Sequence, residues 1–381
     1  MYRVLAFLLA MFCVAVVAQI VAVTALRDYQ SHGDISFVRA VENVLPGVAS
    51  GSTRDDGQLD YAENPVGKQH PADGPALIQA ELLYLINVER AVARVSPLSP
   101  GRDPAVQRHA ESMMTYGYRS HWDVNGFTPH MRYSMSGGTN RARQNIAGPF
   151  NLADYTQDDE SVSWRDLAKS VHQELMESDV GRANILDKWH GKVDIGAGCS
   201  EAECWIAQQF ESTQVKFSAV PAFSNGRLDI SGTLSADLTL DGVAVWHHPY
   251  PRPLSLGQLD ATYYYDYGQK PVVFVRPPVP GDQYYPEDAV TYEWAAGIDP
   301  YSLDSRLSRS SSPPLPVEVG HSAAIPWTTA TRWEQSGESF HVEADLSQVV
   351  ARVGPGVYTL QVWGRQGYER VALTNYTIFV V

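Results

Sequence analysis

Three helical patterns lie between residues 73 and 178, and the periodic segments that follow them have the patterns of strands. A capping residue and an early proline at Asp73-Gly-Pro75 open a first helix, which we expect to end near Val95-Ser-Pro97. Asp103-Pro104 opens a second helix that reaches Tyr116, and a third is expected from about Asp159 to Ser178. Helices followed by strands are typical of an α+β domain built in layers.

Two strands are expected to close this first domain. Val193 to Gly198 and Trp205 to Phe210 have the composition of strands, and the segment from Cys199 to Cys204 between them is expected to be a hairpin turn. The sequence therefore predicts an α+β domain at residues 73–215.

Residues 216–381 have a different pattern, in which short β-rich runs are separated by proline and glycine. The runs are Arg227–Ile230, Val243–His247, Ala261–Tyr265, Val272–Val275, Val290–Trp294, Phe340–Ala344, Val357–Trp363 and Ala372–Val381. This spacing predicts an Ig-like β-sandwich. The segment 305–316, dense in serine and then in proline, is either a loop in one sandwich or a linker between two small domains.

The N-terminus indicates export from the cytoplasm. Arg3 precedes an uncharged run from Val4 to Ala25, which is long enough to cross a bilayer. Residues 1–26 are therefore either a cleaved signal peptide, with Val23-Thr-Ala25 as the cleavage site, or a retained membrane anchor. Residues 27–72 lack a sustained period and are expected to be a flexible tether. We expect an extracytoplasmic protein that is secreted or held at the membrane.

Charge and cysteine content narrow the function further. A formal net charge of -14 argues against sequence-independent nucleic-acid binding, which depends on lysine and arginine. Cys13 lies within the apolar run, and Cys199 and Cys204 are the only other cysteines. Because an exported protein meets oxidising conditions, we predict a disulfide between Cys199 and Cys204.

Five short motifs follow one another between residues 87 and 198. They are Asn87-Val-Glu-Arg90 with Leu98, Ser120-His121 with Gly126 and Arg132, Gln144-Asn-Ile146, Ser178 to Leu186, and Ile195-Gly-Ala-Gly198. In this order they resemble the bacterial branch of the CAP superfamily, which includes cysteine-rich secretory proteins, antigen 5 and pathogenesis-related proteins, and whose bacterial members carry SCP-like extracellular domains. The resemblance covers a little over a third of the chain and implies a CAP-type α-β-α sandwich.

The resemblance also implies a cleft, which in this family holds two histidines and two acidic residues able to bind a divalent cation. His121 matches the first histidine, but Gln144 replaces the first acid and Gly181 replaces the second histidine. The second acid should fall near Ser178, and Glu177 is one residue away. We therefore take His121, Gln144, Ser178 and Glu177 as candidate cleft residues, and predict no metal and no cofactor. His172 or His190 could replace the lost ligand.

Four polar family residues are expected to be structural. Asn87, Arg90, Asn145 and Asn184 can satisfy buried main-chain groups with their amide and guanidinium groups. A cluster of tyrosines in the C-terminal region is either sandwich filling or a platform for sugar rings. It consists of Tyr263-Tyr-Tyr265, Tyr267, Tyr284 and Tyr285.

No catalytic residues are predicted. Hydrolysis needs a nucleophile with a base, or a metal-bound water, and the sequence has no Gly-x-Ser-x-Gly elbow. The leading hypothesis is a non-enzymatic module that binds a small apolar ligand, which the resemblance implies, or a component of the cell envelope. The alternatives are a cation-dependent peptidase or other hydrolase, and an adhesion or carbohydrate-binding protein that acts through its β-rich tail.

Overall fold

The computed structural model describes residues 74–157, 161–224, 226–268, 270–279, 281, 289–296, 298–307 and 318–380. The predicted signal or anchor segment and the tether, residues 1–72, lie outside the described residues. Within the described ranges, no helix is long and apolar enough to cross a membrane. The same ranges contain seven helices and three sheets, which confirms the α+β fold class.

Local capping signals set the ends of the helices in the first domain, which we call the module (residues 74–215). Asp103 accepts a hydrogen bond from the Ala105 N–H and starts the second helix, and Gly117 ends it in the left-handed conformation at φ 64°. Ser163 starts the fourth helix in the same way. The five helices are α1 (Gly74–Val92), α2 (Pro104–Tyr116), α3 (Pro129–Met135), α4 (Trp164–Glu177) and α5 (Asp179–Leu186).

Four strands form the sheet of the module. They are β1 (Ser99–Pro100), β2 (Ala142–Asn151), β3 (His190–Cys199) and β4 (Glu203–Ser212), in the order β1-β3-β4-β2. β1 runs parallel to β3, and the other pairs are antiparallel. The sequence analysis predicts β3 and β4 but not β2, in which Gly148 and Pro149 interrupt the strand pattern. It also does not predict α3 or α5, which are only two turns long.

Each face of this sheet packs against helices, giving the α-β-α sandwich. On the face that we call the α1 face, α1, α4 and α5 contribute Leu82, Leu167 and Ile185 to one apolar cluster with β3 and β4. On the opposite face, the α2 face, Val106 and Met113 of α2 pack on the sheet. Successive strand residues alternate between these two faces.

Two glycines bring α2 into direct contact with β3. A Cβ atom at Gly196 would lie 2.5 Å from the Val106 carbonyl oxygen, and one at Gly198 would lie 2.5 Å from the Ala110 carbonyl oxygen. Any side chain here would push the helix off the sheet. The segment Ile195-Gly-Ala-Gly198 therefore has a packing role.

The remaining strands form a two-sheet sandwich, which we call the tail (residues 216–381). A seven-stranded sheet has the order β10-β11-β9-β8-β14-β15, with β16 paired to β14, and a five-stranded sheet has the order β12-β13-β7-β5, with β6 paired to β7. The pair β9 and β11 is parallel. The strands are β5 (Val215–Phe217), β6 (Ala222–Ser224), β7 (Arg227–Leu234), β8 (Thr239–His248), β9 (Pro271–Arg276), β10 (Ala289–Ala296), β11 (Glu318–Thr329), β12 (Arg332–Ser336), β13 (Ser339–Asp345), β14 (Gly356–Gln366), β15 (Glu369–Ala372) and β16 (Tyr376–Val380), with helices α6 (Leu256–Ala261) and α7 (Ser347–Val353).

One apolar core lies between the two sheets of the tail. It joins residues from before and after the segment 305–316, such as Val243 with Val362 and Ile230 with Val342. β13 also pairs with β7 across that segment, and β14 pairs with β8. Both halves of the tail therefore contribute to the same core.

One predicted strand is absent. Ala261 ends α6, and the residues from Thr262 to Tyr265 have no strand partner, so the prediction of a strand at Ala261–Tyr265 is wrong. The segment has the sequence pattern of a strand, but it packs on the module instead of joining a sheet.

We call the contact between this segment and the module the seam. It is formed by Ser120, His121, Trp122 and His130 from the module, and by His248, Thr262–Tyr265, Asp266 and Tyr267 from the tail. A second contact lies at the start of β2, where the Asn375 side chain bonds both the N–H (2.9 Å) and the carbonyl (2.8 Å) of Ala142. The tail therefore contacts the module both at the seam and at the start of β2.

Candidate functional site

The loop that carries His121 is fixed by its own turn residues. The Asp123 carboxylate accepts hydrogen bonds from the N–H groups of Asn125 (3.0 Å) and Phe127 (2.9 Å). The Arg132 guanidinium donates to the carbonyls of Phe127 (2.5 Å) and His121 (3.0 Å). The loop can therefore hold the imidazole of His121 in one orientation.

The structure brings two of the four candidate cleft residues together. His121 Nδ1 lies 3.0 Å from Gln144 Oε1. An amide oxygen only accepts hydrogen bonds, so Nδ1 carries the proton and the lone pair of the neutral ring is on Nε2. The group beside Nδ1 is a neutral amide and carries no charge.

Residues of the tail surround the rest of the His121 ring. The rings of Tyr263 and Tyr265 approach it edge-on, with centroid distances of 5.0 and 5.2 Å. His121 is only 4% exposed. The sequence analysis does not predict this contact, because it assigns these tyrosines to a strand of the sandwich.

Hydrogen bonds to its main-chain carbonyls hold the same segment in place. The His121 N–H donates to the Tyr263 carbonyl (3.1 Å), and the Trp122 indole donates to the Tyr264 carbonyl (2.9 Å). The Ser120 hydroxyl donates to the Thr262 carbonyl (2.5 Å). Three consecutive residues of the loop thus bind three consecutive carbonyls of the tail.

Burial keeps His121 neutral. It lowers the pKa of His121 to about 4, and the neighbouring cations Arg132, Arg119 and Arg143 act in the same direction, whereas the hydrogen bond with Gln144 raises it. At neutral pH the ring is therefore an uncharged hydrogen-bonding group.

Gly181 lies on the other side of β2. Asn145 follows Gln144 directly, so the two side chains point to opposite faces of the strand. Asn145 donates to the Gly181 carbonyl (3.2 Å) and accepts from the Asn184 amide (2.7 Å). Gln144 faces His121, and Gly181 is reached only from the other face.

Ser178 and Glu177 are both exposed and bond near their own helices. The Ser178 hydroxyl accepts from the Gly181 N–H (3.3 Å) and caps α5. The Glu177 carboxylate accepts from the Gln173 amide (2.9 Å). None of these bonds connects either residue to His121.

Arg90 satisfies main-chain groups in the interior. Its guanidinium donates to the carbonyls of Ser96 (2.7 Å), Ile185 (2.7 Å), Asp187 (3.0 Å) and His190 (3.2 Å). Arg90 thereby connects the end of α1 to the segment between α5 and β3.

Asn87 has a similar place one turn earlier. Its amide donates to the Leu98 carbonyl (3.0 Å), and its side-chain oxygen accepts from the Leu98 N–H (2.7 Å). This pair of bonds fixes the chain between α1 and β1.

The two other histidines considered as substitute ligands lie apart from His121 in the fold. His172 is buried on α4, on the α1 face. His190 begins β3, where its Nδ1 is 3.3 Å from the Ser212 hydroxyl and burial lowers its pKa to about 3. In the described part of the chain, no group of three or more His, Cys, Asp or Glu side chains could hold a metal ion.

A row of buried polar residues crosses the α2 face of the sheet. Gln144, Gln209 and Asp194 are in register on three neighbouring strands. Gln209 donates to the Asp103 carboxylate (2.8 Å), and the Asp103 N–H donates to Asp194 (2.9 Å). The sequence analysis does not predict this row, because it depends on the register of strands far apart in the chain. The only local signal is glutamine within the apolar run of β4.

Burial raises the pKa of Asp194 to about 6, and the carboxylates of Asp103 and Glu211 also raise it, whereas the hydrogen bond from the Asp103 N–H lowers it. Lys192 lies beside Glu211, with a nitrogen-to-oxygen distance of 3.4 Å. Asp194 is therefore a buried acid of the module whose pKa lies close to neutral pH.

The hairpin between β3 and β4 contains the predicted disulfide. Cys199 and Cys204 face each other across the turn and are bonded, which confirms the prediction.

Searches against known proteins give matches among solved structures alone. No protein-family model matches the sequence, and no curated protein does. An extracellular protein containing an SCP domain from Bacillus anthracis is similar at 19% identity over 39% of this chain and 45% of that chain, with a TM-score of 0.29. A cysteine-rich secretory protein from Staphylococcus aureus is similar at 16% identity over 38% and 42%, with a TM-score of 0.28. This chain therefore spans less than half of either protein.

An outer surface protein from Borrelia burgdorferi is also similar to part of the chain. The identity is 11% over 36% of this chain and 93% of that chain, with a TM-score of 0.29.

Proposed function

We propose that this chain is an extracytoplasmic binding protein without catalytic activity, in which the tail closes the CAP-type cleft of the module. The observation that carries the proposal is the enclosure of His121 by Gln144, Tyr263 and Tyr265. A hydrolase of this family would need that ring to be open to a metal or to a substrate. Here the ring is neutral and almost fully covered.

Export is supported by two features of the chain. The disulfide between Cys199 and Cys204 is of the kind that persists in oxidising compartments. The apolar run from Val4 to Ala25 is long enough for a signal or an anchor. A component of the cell envelope is therefore the class of partner that we propose, bound by a surface other than the closed cleft.

The tyrosines of the tail give less support to sugar binding. Tyr263 and Tyr265 pack on His121, and Tyr267 packs on His130 with a centroid distance of 4.9 Å. Tyr284 and Tyr285 lie outside the described residues. Of the four described rings of the cluster, those of Tyr263, Tyr265 and Tyr267 are thus engaged with histidines of the seam.

Zinc titration by calorimetry tests whether the cleft is closed to metals. We expect the purified protein to show no saturable heat that depends on His121. The variant His121→Ala is compared with His341→Ala, because His341 is a surface histidine whose Nε2 lies 3.0 Å from an Asp229 carboxylate oxygen. Heat that disappears only in His341→Ala is surface binding and leaves the proposal standing. Saturable binding that disappears in His121→Ala contradicts it.

Co-sedimentation with isolated cell envelopes tests the binding role. We expect the wild type and His121→Ala to be retained equally, with no release of soluble fragments from the envelope. Fragment release by the wild type that is lost in His121→Ala identifies a hydrolase, and absence of retention for both proteins removes the envelope partner.

A further inference from the structure

Three buried histidines meet at the seam. His121 and His130 come from the module, and His248 comes from the end of β8 in the tail. Each packs on an aromatic ring from the opposite side of the contact. His130 lies 4.9 Å from the Tyr267 ring and 5.8 Å from the Tyr265 ring, between centroids.

His248 lies on the tail side of the seam and also packs on an aromatic ring of the opposite side. Its ring lies 5.8 Å from the ring of Trp122, which is 1% exposed. The histidines therefore occupy the surface along which the module and the tail touch.

No carboxylate is among the hydrogen-bond partners or ring contacts of His121 and His130 within the described residues. Two acids of the same region have other partners: Asp266 lies 3.1 Å from His248, and Asp123 lies 3.7 Å from Arg132. The titratable and charged groups that face the seam or pair with these groups are Arg119, Arg132, Arg141, Arg143, Asp123, Asp187, Asp266, Glu174, His109, His247, Tyr263, Tyr265 and Tyr267.

Within the described residues, the carboxylates of this set already pair with cations or with His248: Glu174 with Arg119, Asp123 with Arg132, Asp187 with Arg141, and Asp266 with His248. A proton added to His121 or His130 would place a further positive charge in a buried region already rich in arginine. Such a charge is costly when no anion compensates it.

We propose that the seam is an acid-sensitive latch, in which protonation of His130 and His121 releases the Thr262–Tyr265 segment from the loop Ser120–Trp122. The proposal rests on the closed cleft described under Proposed function and adds a condition under which the cleft opens. Opening would expose the His121 ring, three donors of the loop and the aromatic rings of the segment as one new binding surface.

The pKa directions agree with this behaviour. Burial lowers the pKa of His130 well below its ordinary value, as do the charges of His248 and Arg132, and the pKa of His121 falls to about 4. Both groups are neutral in the closed seam and take up protons when it opens. The closed state is therefore fully favoured above the ordinary histidine pKa of about 6.5, and it weakens as the pH falls from there toward about 4. At pH 5 the lowered pKa of His121 alone should shift the equilibrium toward opening by up to about thirtyfold, and the lowered pKa of His130 acts in the same direction.

Hydrogen–deuterium exchange of the full chain, measured by mass spectrometry, tests the latch. The exchange times at pH 7.5 and pH 5 are scaled for the different intrinsic rates of amide exchange at the two pH values. At pH 5 we expect faster exchange in peptides that cover residues 118–128 and 262–267, and unchanged exchange in peptides from β3, β4 and β13. In His130→Phe the ring packing is kept and the charge is lost, so the acceleration should shrink, as it should in His121→Gln. If His130→Phe fails to fold, His130→Gln serves the same purpose.

His172→Gln is the matched control, because His172 is a buried histidine on the α1 face whose pKa is also lowered by burial. The control should retain the full acceleration. The latch is refuted if the wild type shows no acceleration, if both seam variants behave as the wild type, or if the β3 and β4 peptides accelerate equally. It is also refuted if His172→Gln removes the effect. All these results concern pH 5, so they do not bear on the zinc titration at neutral pH.

Discussion

The two faces of the module's sheet are completed in different ways. On the α1 face, helices α1, α4 and α5 cover the strands with aliphatic residues from the module alone, among them Ile78, Leu82 and Leu167. On the α2 face, a single long helix covers part of the sheet, and Leu254, Leu259 and tyrosines of the tail complete the apolar cluster. The first face is a self-contained core, whereas the second depends on residues far along the chain.

The two faces also differ in the polar groups that they hold. His121 and its partner Gln144 lie on the α2 face, which is the face that the tail covers. A neutral amide suits this position, since a carboxylate beside His121 would have to be buried under Tyr263 and Tyr265.

Deletion of the tail should cause the largest loss of stability, and this loss should come from the α2 face. Without residues 216–381, the α2 face loses the partly buried Tyr263 and Tyr265 and the buried Leu254 and Leu259, and each leucine contributes about 1.5–3 kcal/mol by burial. The two leucines alone account for about 3–6 kcal/mol, which is a large share of the stability of a typical domain. We expect the isolated module to bind a hydrophobic dye and to unfold without a cooperative transition in urea.

Tyr368→Ala, a change at a fully exposed tyrosine of the tail, is the control and should unfold like the wild type. A truncated module with the wild-type urea midpoint would show that the α2 face is as self-sufficient as the α1 face.

Local signals made some of this structure predictable. The bounds of α2 follow from the cap at Asp103-Pro104, and Tyr116 is its last residue as expected. The disulfide follows from the compartment and the cysteine count. In each case the information lies within a few residues or in the composition.

The covered cleft was not predictable in the same way. Ser120 and Thr262 bond across 142 positions of sequence, and the alternation of Tyr263 to Tyr265 is equally compatible with a strand. The resemblance places His121 beside Gln144 but cannot say what lies over them. The polar row through Gln209 and Asp194 also needs the register of three strands, which a single sequence does not specify.

Arg90→Ala should cause the next largest loss of stability, in this case on the α1 side of the sheet. The substitution leaves four carbonyls without their donor and opens a cavity at a residue that is fully buried. We expect a loss of about 3–5 kcal/mol in the free energy of unfolding, measured by urea denaturation. Arg102→Ala, at an exposed arginine, should change it by less than about 0.5 kcal/mol. Equal effects of the two substitutions would contradict the role of Arg90 as an internal brace.

Gly198→Ala probes the close approach of α2 to β3. The new methyl group would meet the Ala110 carbonyl at 2.5 Å, so helix and strand must separate. We expect a loss of about 1–3 kcal/mol in thermal or urea unfolding. Gly242→Ala is a matched glycine-to-alanine control in β8, where the nearest atoms to the new Cβ would be at an ordinary 3.6 Å. If Gly198→Ala is as mild as the control, the packing argument for the Ile195-Gly-Ala-Gly198 motif fails.

Asp194→Asn should have the smallest effect, and its sign is opposite to that of the seam histidines. The folded-state pKa of Asp194, about 6, lies above its ordinary value, so its contribution to stability is greatest in acid and is lost as the pH rises through about 6. The asparagine variant keeps an acceptor for the Asp103 N–H without the buried charge. We expect it to be more stable than the wild type by about 1 kcal/mol at pH 8, with the difference vanishing near pH 4. Urea midpoints measured across this range provide the check, with Asp237→Asn, at an exposed aspartate of the tail, as control. A variant that is less stable than the wild type at pH 8 would mean that the Asp194 carboxylate is held by partners that favour its charge, and that the polar row stabilises the α2 face in its ionised form.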